Sequence, residues 1–213
     1  MSEHTPLIIG HRGFAGRFPD NSVAGVRAAL AVGADGVEVD VRPTADGVWV
    51  CHHDRRRGGV PIEQWQAGAL GAAGVPELAD VLAAVDPGRW LFVEVKPLGR
   101  VLRAQHLEAL AALVAPRTGR VRVISSSLPI LGEMEQLLPR VPLSWVFGAL
   151  PEWLPLGVEL SPRHTLVEPL LASGRALHPW TVNAASRMRE LVALGVASLT
   201  TDRPDRAVEV LRG

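Results

Sequence analysis

Cysteine is nearly absent: of 213 residues, only Cys51 carries a thiol. That excludes an intramolecular disulfide and fits a reducing compartment, so a cytoplasmic setting is expected. Excess charge of either sign is missing as well, Lys+Arg and Asp+Glu both being 22. A chain so balanced gives no reason to expect a polyanion such as nucleic acid as the main partner. No apolar run approaches the roughly 20 residues of a membrane span. The opening MSEHTPLIIGHRG has no basic n-region, and its apolar run is too short for a signal peptide. No stable membrane insertion is expected. Linkers, low-complexity tracts and short repeats are also lacking, and residues 1–213 read as one domain. What the chain does have is apolar content, 47% of its residues, enough to bury a substantial core.

Short β-type runs alternate with helical patterns along the whole chain. Leu7–Gly10 reads as a strand, and the DNS turn offers Asn21 or Ser22 as the cap of a helix running to about Val32. Gly36–Arg42 is the next strand, and the TADG turn predicts that Val48–His52 returns beside it as a hairpin partner. Residues 55–75 are Gly-rich, carry the run Arg55–Arg57, and read as an irregular insertion. Strands are then expected in WLFVEVK, VRVISS, LSWVF, ALHPWTVN and ASLTTD, and a weaker strand–helix pair over 152–173. Helical spacing falls between them, with a last helix from Pro204. About eight strands that can run parallel predict an α/β fold, a compact (β/α)8 TIM barrel with a short insertion after the second strand.

The strand GVEVDV raises a chemical question. Side chains alternate along a strand, so Val37, Val39 and Val41 face one way and Glu38 and Asp40 the other. In a barrel the valines pack under the helices and the acids line the axis. FVEVK repeats the pattern, with Phe92, Glu94 and Lys96 facing inward. Three carboxylates aimed at one axis repel unless they are paired or bind a cation. Two readings stand: ion pairs within the core, Glu94 with Lys96 or Glu38 with Arg12, or a cation site. Three oxygen ligands suit Mg²⁺ or Ca²⁺, and the near absence of thiolate argues against structural zinc.

IIGHRG ends the first strand, placing His11 and Arg12 where barrel active sites are built. The Arg12 guanidinium is a fork of donors suited to phosphate. CHHD ends the hairpin strand, so that His52 or His53 comes near His11 if that strand folds over the barrel mouth. Two imidazoles flanking a metal and an arginine match the needs of acid–base phosphoryl chemistry. His4, His106 and His164 read as surface or helix residues, His178 as either a residue reaching the site or a plain strand histidine, Cys51 as a small strand residue, and Arg55–Arg57 as a solvated loop face, with contact to an anionic substrate as the alternative.

Taken in order, these elements resemble the glycerophosphodiester phosphodiesterase family. GHRGFAGRFPDNSVAGVRAALAVGADGVEVDVRPTADGVWVCHHD is similar to the family's opening block. VEVK, ISSS, PWTVN and LTTDRPD follow in the family's order, from about Ile9 to the C-terminus. The resemblance implies a TIM barrel that hydrolyses glycerophosphodiesters, its small-molecule substrates, to glycerol 3-phosphate and an alcohol. It implies one divalent cation, Mg²⁺ or Ca²⁺, held by Glu38, Asp40 and Glu94, with His11 and His53 as the acid–base pair. His53 is preferred to His52 because it precedes Asp54, and strand parity puts it on the face of Trp49 and Cys51. Arg12 and Lys96 would hold the phosphate, Trp180 would wall the pocket, and Asp20, Asn21 and Asn183 would support it. The attacking group is either water or the glycerol 2-hydroxyl by way of a cyclic phosphate.

Asp20 stands where the family has Glu, one methylene shorter, and Leu128 stands where it has Phe. The segment after His-Asp is short, which would leave the mouth open. The alternative activity is a phospholipase D-like attack on lysolipids or sphingolipids, for which Trp65, Trp145 and Trp153 are candidate elements of an apolar groove.

Overall fold

The computed structural model describes residues 5–213, so His4 and the start of the N-terminal run lie outside the described residues. The first half carries β1 (Leu7–Gly10), α1 (Val23–Ala31), β2 (Gly36–Pro43), β3 (Trp49–Cys51), β4 (Arg56–Arg57), β5 (Val60–Pro61), α2 (Ala67–Ala72), α3 (Leu78–Ala84) and β6 (Trp90–Val95). There follow α4 (Arg100–Val114), β7 (Val121–Ser125), α5 (Leu128–Leu137), β8 (Leu143–Phe147), β9 (Glu159–Pro162), α6 (Val167–Leu170), α7 (Ala185–Ala193), β10 (Ser198–Thr201) and α8 (Pro204–Arg212). Seven strands pair in parallel in the order β10-β1-β2-β6-β7-β8-β9, and β3 lies antiparallel on the far end of β2. This is the α/β barrel expected, with its helices outside.

The eighth staple of the barrel is irregular. ALHPWTVN was expected as a strand, but it makes only single bridges, Leu160 with Leu177 and Arg163 with Trp180. Pro179 has no N–H to donate and interrupts any ladder there. The segment still closes the gap between β9 and β10. His178 N–H donates to Leu160 (2.8 Å) and Trp180 N–H to Pro162 (3.1 Å) on one side, and Ala197 N–H to Leu177 (2.9 Å) and Val182 N–H to Thr200 (2.9 Å) on the other.

Two further departures have local causes. Residues 55–75 are ordered rather than irregular: Ile62, Ala67, Leu70 and Val75 bury themselves against Val50 as a small second core, with Trp65 packed on it. Between β8 and β9 no helix forms. Gly148, Pro151, Pro155 and Gly157 break it, and the crossing is a loop on which Trp153 stacks over Trp145 at 6.3 Å.

The alternation of β2 places the chemistry. Val37, Val39 and Val41 join Val93 and Val95 in the main core beneath the helices. Ile9, Phe92, Ile124 and Val146 fill the barrel interior. Ser22, not Asn21, caps α1, its Oγ accepting from the Gly25 N–H at 3.1 Å. Ser22→Ala should therefore cost about 0.5–2 kcal/mol, read as a lower urea midpoint with an unchanged slope; an unmoved midpoint would show the cap contributes nothing. Among the described residues no helix is long and apolar enough to cross a membrane.

Candidate active site

β1, β2 and β6 end side by side at the C-terminal mouth of the barrel. Glu38, Asp40 and Glu94 meet there, each offering an oxygen within 4.8 Å of the others. The first two are fully buried. Lys96 bridges the pair beside it, its Nζ 2.6 Å from both Asp40 Oδ1 and Glu94 Oε1. It is the one lysine in the sequence. Arg12 Nε sits 3.1 Å from Asp40 Oδ2, and Nη1 2.6 Å from Asp20 Oδ2. So the Glu94–Lys96 pair read from the sequence is present, whereas Glu38 meets Arg12 through the backbone, accepting the Arg12 N–H at 3.0 Å.

Backbone geometry makes these contacts possible. Arg12 has φ 48° and Asn21 φ 60°, both left-handed. Such a conformation costs of order 1–3 kcal/mol for arginine and less for asparagine, and the observed contacts hold it. Gly13, at φ 81°, lets this turn lie on α1, since a Cβ there would come within 2.7 Å of the Val26 nitrogen. Asn21, free of capping, clamps Asp40 twice: Nδ2 donates to Oδ2 at 3.0 Å and Oδ1 accepts the Asp40 N–H at 2.9 Å.

The charges do not cancel. Three carboxylates face two cations, and Glu38 carries the imbalance. Burial, with the Asp40 charge beside it, pushes the Glu38 carboxyl up to about 8. Burial would raise Asp40 as well, but the Lys96 charge, the Asn21 bond and Arg12 outweigh it and hold Asp40 below the usual range. Glu38 Oε1 is buried without a hydrogen-bond partner. An orphaned carboxylate oxygen beside two others is a fit for a hard divalent cation. Donors sharing a Ca²⁺ ion at about 2.3–2.6 Å lie at most about 4.6–5.2 Å apart, which the observed spread satisfies; the smaller Mg²⁺, at about 2.0–2.1 Å, would bring them within about 4.2 Å.

His11 comes off β1 beside this group, its Nε2 3.9 Å from Glu38 Oε2. Its Nδ1 donates to Asp202 Oδ1 at 2.6 Å, and Asn183 Nδ2 donates to Asp202 Oδ2 at 2.6 Å. Burial lowers the His11 pKa, but the Asp202 bond and the Glu38 charge more than reverse this, and the net shift is upward. Asn183 thus acts on His11 through Asp202. Sequence reading gave Asp202 no role, although it ends LTTD on the next strand, the same kind of position that marks His11.

His53 also faces the cavity, but strand parity does not bring it there. β3 ends at Cys51, and Trp49 and Cys51 lie in the outward core beneath the helices. The chain turns after Cys51, and the His53 ring then reaches the mouth, its Nδ1 2.8 Å from Asp54 Oδ1. His52 does not line the cavity.

One cavity of about 210 Å³ gathers His11, Arg12, Glu38, His53, Glu94, Lys96 and Trp180. Phe92, Ile124 and Val146 give it an apolar side, and Trp180 is fixed by donating Nε1–H to the Ser161 carbonyl at 2.8 Å. His178 lines the cavity too, the site-reaching one of the two readings its strand position allowed. Burial and the nearby Arg122 charge hold its pKa far below the ordinary value, so it stays neutral between Ser198 (2.8 Å) and Glu159 (2.7 Å). Asp20 and Asn21 stand behind Arg12 and Asp40. Trp65, Trp145, Trp153, Leu128 and the run Arg55–Arg57 do not line the cavity.

A barrel whose strand ends carry acids, histidines and fixed cations around one such cavity is built as a phosphate-ester hydrolase. The model of the glycerophosphoryl diester phosphodiesterase family matches residues 11–60 and 57–206. The chain belongs to that family and is an enzyme. It is 28% identical to a glycerophosphodiester phosphodiesterase of Caldanaerobacter subterraneus subsp. tengcongensis, over 97% of this chain and 98% of the other. Identity is 30% to a probable glycerophosphodiester phosphodiesterase 2 of Mycobacterium tuberculosis, over 96% and 90%. Among solved structures, a phosphodiesterase of Oleispira antarctica in complex with the product sn-glycerol-3-phosphate superposes with a TM-score of 0.87 at 21% identity, over 98% of both chains.

Proposed function

We propose that the chain, acting as one domain, hydrolyses glycerophosphodiesters to glycerol 3-phosphate and an alcohol, with one divalent cation, Mg²⁺ or Ca²⁺, held by Glu38, Asp40 and Glu94. The observation that carries this reading is the orphaned Glu38 Oε1 within a carboxylate trio, two of whose members, Glu38 and Glu94, line the same cavity as His11 and His53, with Asp40 buried behind them. A divalent ion there would polarise a phosphoryl oxygen and acidify a hydroxyl. The residues supply the rest. Arg12 and Lys96 place fixed positive charge where the phosphoryl oxygens gain negative charge. Asp202 takes the His11 Nδ1–H, which leaves Nε2 facing the cavity to exchange a proton. His53 faces it from the rim, so one imidazole takes the proton of the attacking oxygen and the other protonates the departing alkoxide. Trp180 and Phe92 border the glycerol carbons. The buried Cys51 thiol fits a cytoplasmic setting.

The test is turnover of several glycerophosphodiesters with each divalent ion in turn and with chelator. A rate indifferent to chelator removes the cation from the reading. The loop 148–158 exposes Leu150, Trp153 and Leu156, which favours lysolipids as a second reading. Faster hydrolysis of lysophosphatidylcholine than of glycerophosphocholine would select it.

Glu38 also makes the cation response depend on pH. Its folded-state pKa lies above the ordinary value of 4.5. The stability linked to its proton is therefore complete below about 4.5 and is lost as pH rises through about 8. In chelator the Tm should fall across that window. Protons and cations compete for Glu38, so the Tm gain from added cation should be larger at pH 8.5 than at pH 6. Glu38→Gln should flatten both responses; an unaltered cation titration in that variant would remove Glu38 from the ligand set.

A further inference from the structure

Arg42 holds the third inward position of β2, two residues past Asp40 and four past Glu38. It is 8% exposed. Burying a guanidinium costs several kcal/mol unless it is well partnered, yet its acidic neighbours Glu63, Asp40 and Asp54 act on it only through space. Its donors go to a neutral acceptor instead. Nε at 3.1 Å and Nη2 at 3.0 Å both donate to the backbone carbonyl of His53. Two donors of one rigid fork on a single oxygen fix that oxygen in direction as well as distance.

His53 has need of such a fix. It follows the end of β3, its side chain is 42% exposed, and its ring partner Asp54 is 74% exposed. The corner's other tie, His52 N–H to the Asp40 carbonyl at 2.9 Å, also anchors on β2. Strand β2 thus carries the carboxylates inward at positions 38 and 40 and, at 42, grips the loop that bears the opposing imidazole. We propose that Arg42 is a positioning residue for His53, holding its carbonyl so that the imidazole stays over the cavity. The proposal rests on the acid–base reading of His53. It adds one strand that sets the spacing between the cation site and the rim histidine.

A misplacement of about 1 Å in a reacting group can cost about 10²-fold in rate. Arg42→Met should therefore lower kcat about 10–100-fold, leaving KM and the half-saturating cation concentration within about threefold. Arg42→Lys, with one point donor, should fall between. The decisive measurement is the double variant. If Arg42 acts through His53, Arg42→Met in a His53→Ala background should cost nothing further. Arg42 also lines a surface cleft with Arg55, Glu63 and Leu102, which gives free guanidinium a route in. Non-denaturing guanidinium should restore part of the Arg42→Met rate and none of the His53→Ala rate.

A wild-type kcat for Arg42→Met beside an inactive His53→Ala overturns the clamp. So does an additive loss in the double variant, or a cation titration that shifts as far as kcat falls, since either would assign Arg42 to the carboxylates. Near-normal turnover by His53→Ala would instead reject the acid–base reading, and the clamp would lose its purpose with it. Should Arg42→Met fail to fold, Arg42→Lys in the same two backgrounds carries the same comparison.

Discussion

His11→Ala is expected to lower kcat by about 10²–10⁴-fold, the range typical of a positioned general acid or base, while the fold survives. The ring is attached at the end of β1 and makes its hydrogen bond outward to Asp202, so its removal opens space at the mouth rather than in the core. The substrate's other contacts remain, and KM should move much less than kcat. Asp202→Asn should mimic part of the loss, because an amide facing Nδ1 no longer favours the tautomer that leaves Nε2 as acceptor toward the cavity. His53→Ala should fall in the same range. Single-turnover rates with saturating cation, together with circular dichroism of each variant, check this. A rate within a few-fold of wild type for either histidine would reject its acid–base role.

Asp40→Ala is the largest stability change expected. Asp40 is fully buried and answers to Lys96, Arg12 and Asn21 at once. Removing it leaves two cations in a shielded site with fewer counter-charges, and breaking a buried pair typically costs about 3–5 kcal/mol. That is a large part of an ordinary domain's 5–15 kcal/mol. Urea denaturation in chelator should show it as a much lower midpoint. Glu38→Gln should do the opposite in direction, since it replaces a carboxylate that the site already drives toward its neutral form. Equal midpoints for wild type and Asp40→Ala would mean the ion pairs contribute nothing net to folding.

The parts of this site legible in the sequence are those fixed by a period of two. Once Gly36–Val41 is a strand in a barrel, Glu38 and Asp40 must share a face, and Phe92, Glu94 and Lys96 follow by the same rule. His11 and Arg12 were legible as residues closing a strand. What escaped depends on where the chain stops being periodic. His53 reaches the cavity by a turn after Cys51, which parity cannot describe. The segment about Pro179 completes the barrel without being a strand. Asp202 lies 191 positions from His11, and only closure of the barrel makes them neighbours. Arg42 reads as one more inward residue until its fork is seen on the His53 carbonyl.

Lys96 adds something its charge alone does not convey. With one ammonium hydrogen-bonded to Glu94 and ion-paired to Asp40, the oxygens stand at ligating separation before any ion arrives. Their conformational entropy is already spent during folding, so capture of the proposed ion would not need to organise the chain around it. If the proposed ion binds there, Lys96 preorganises its site as an internal surrogate cation, unlike small metal-dependent domains whose apo form is unfolded. An ion bound as proposed would meet ligands in place and would have only to share them with an ammonium tethered on the same strand as Glu94.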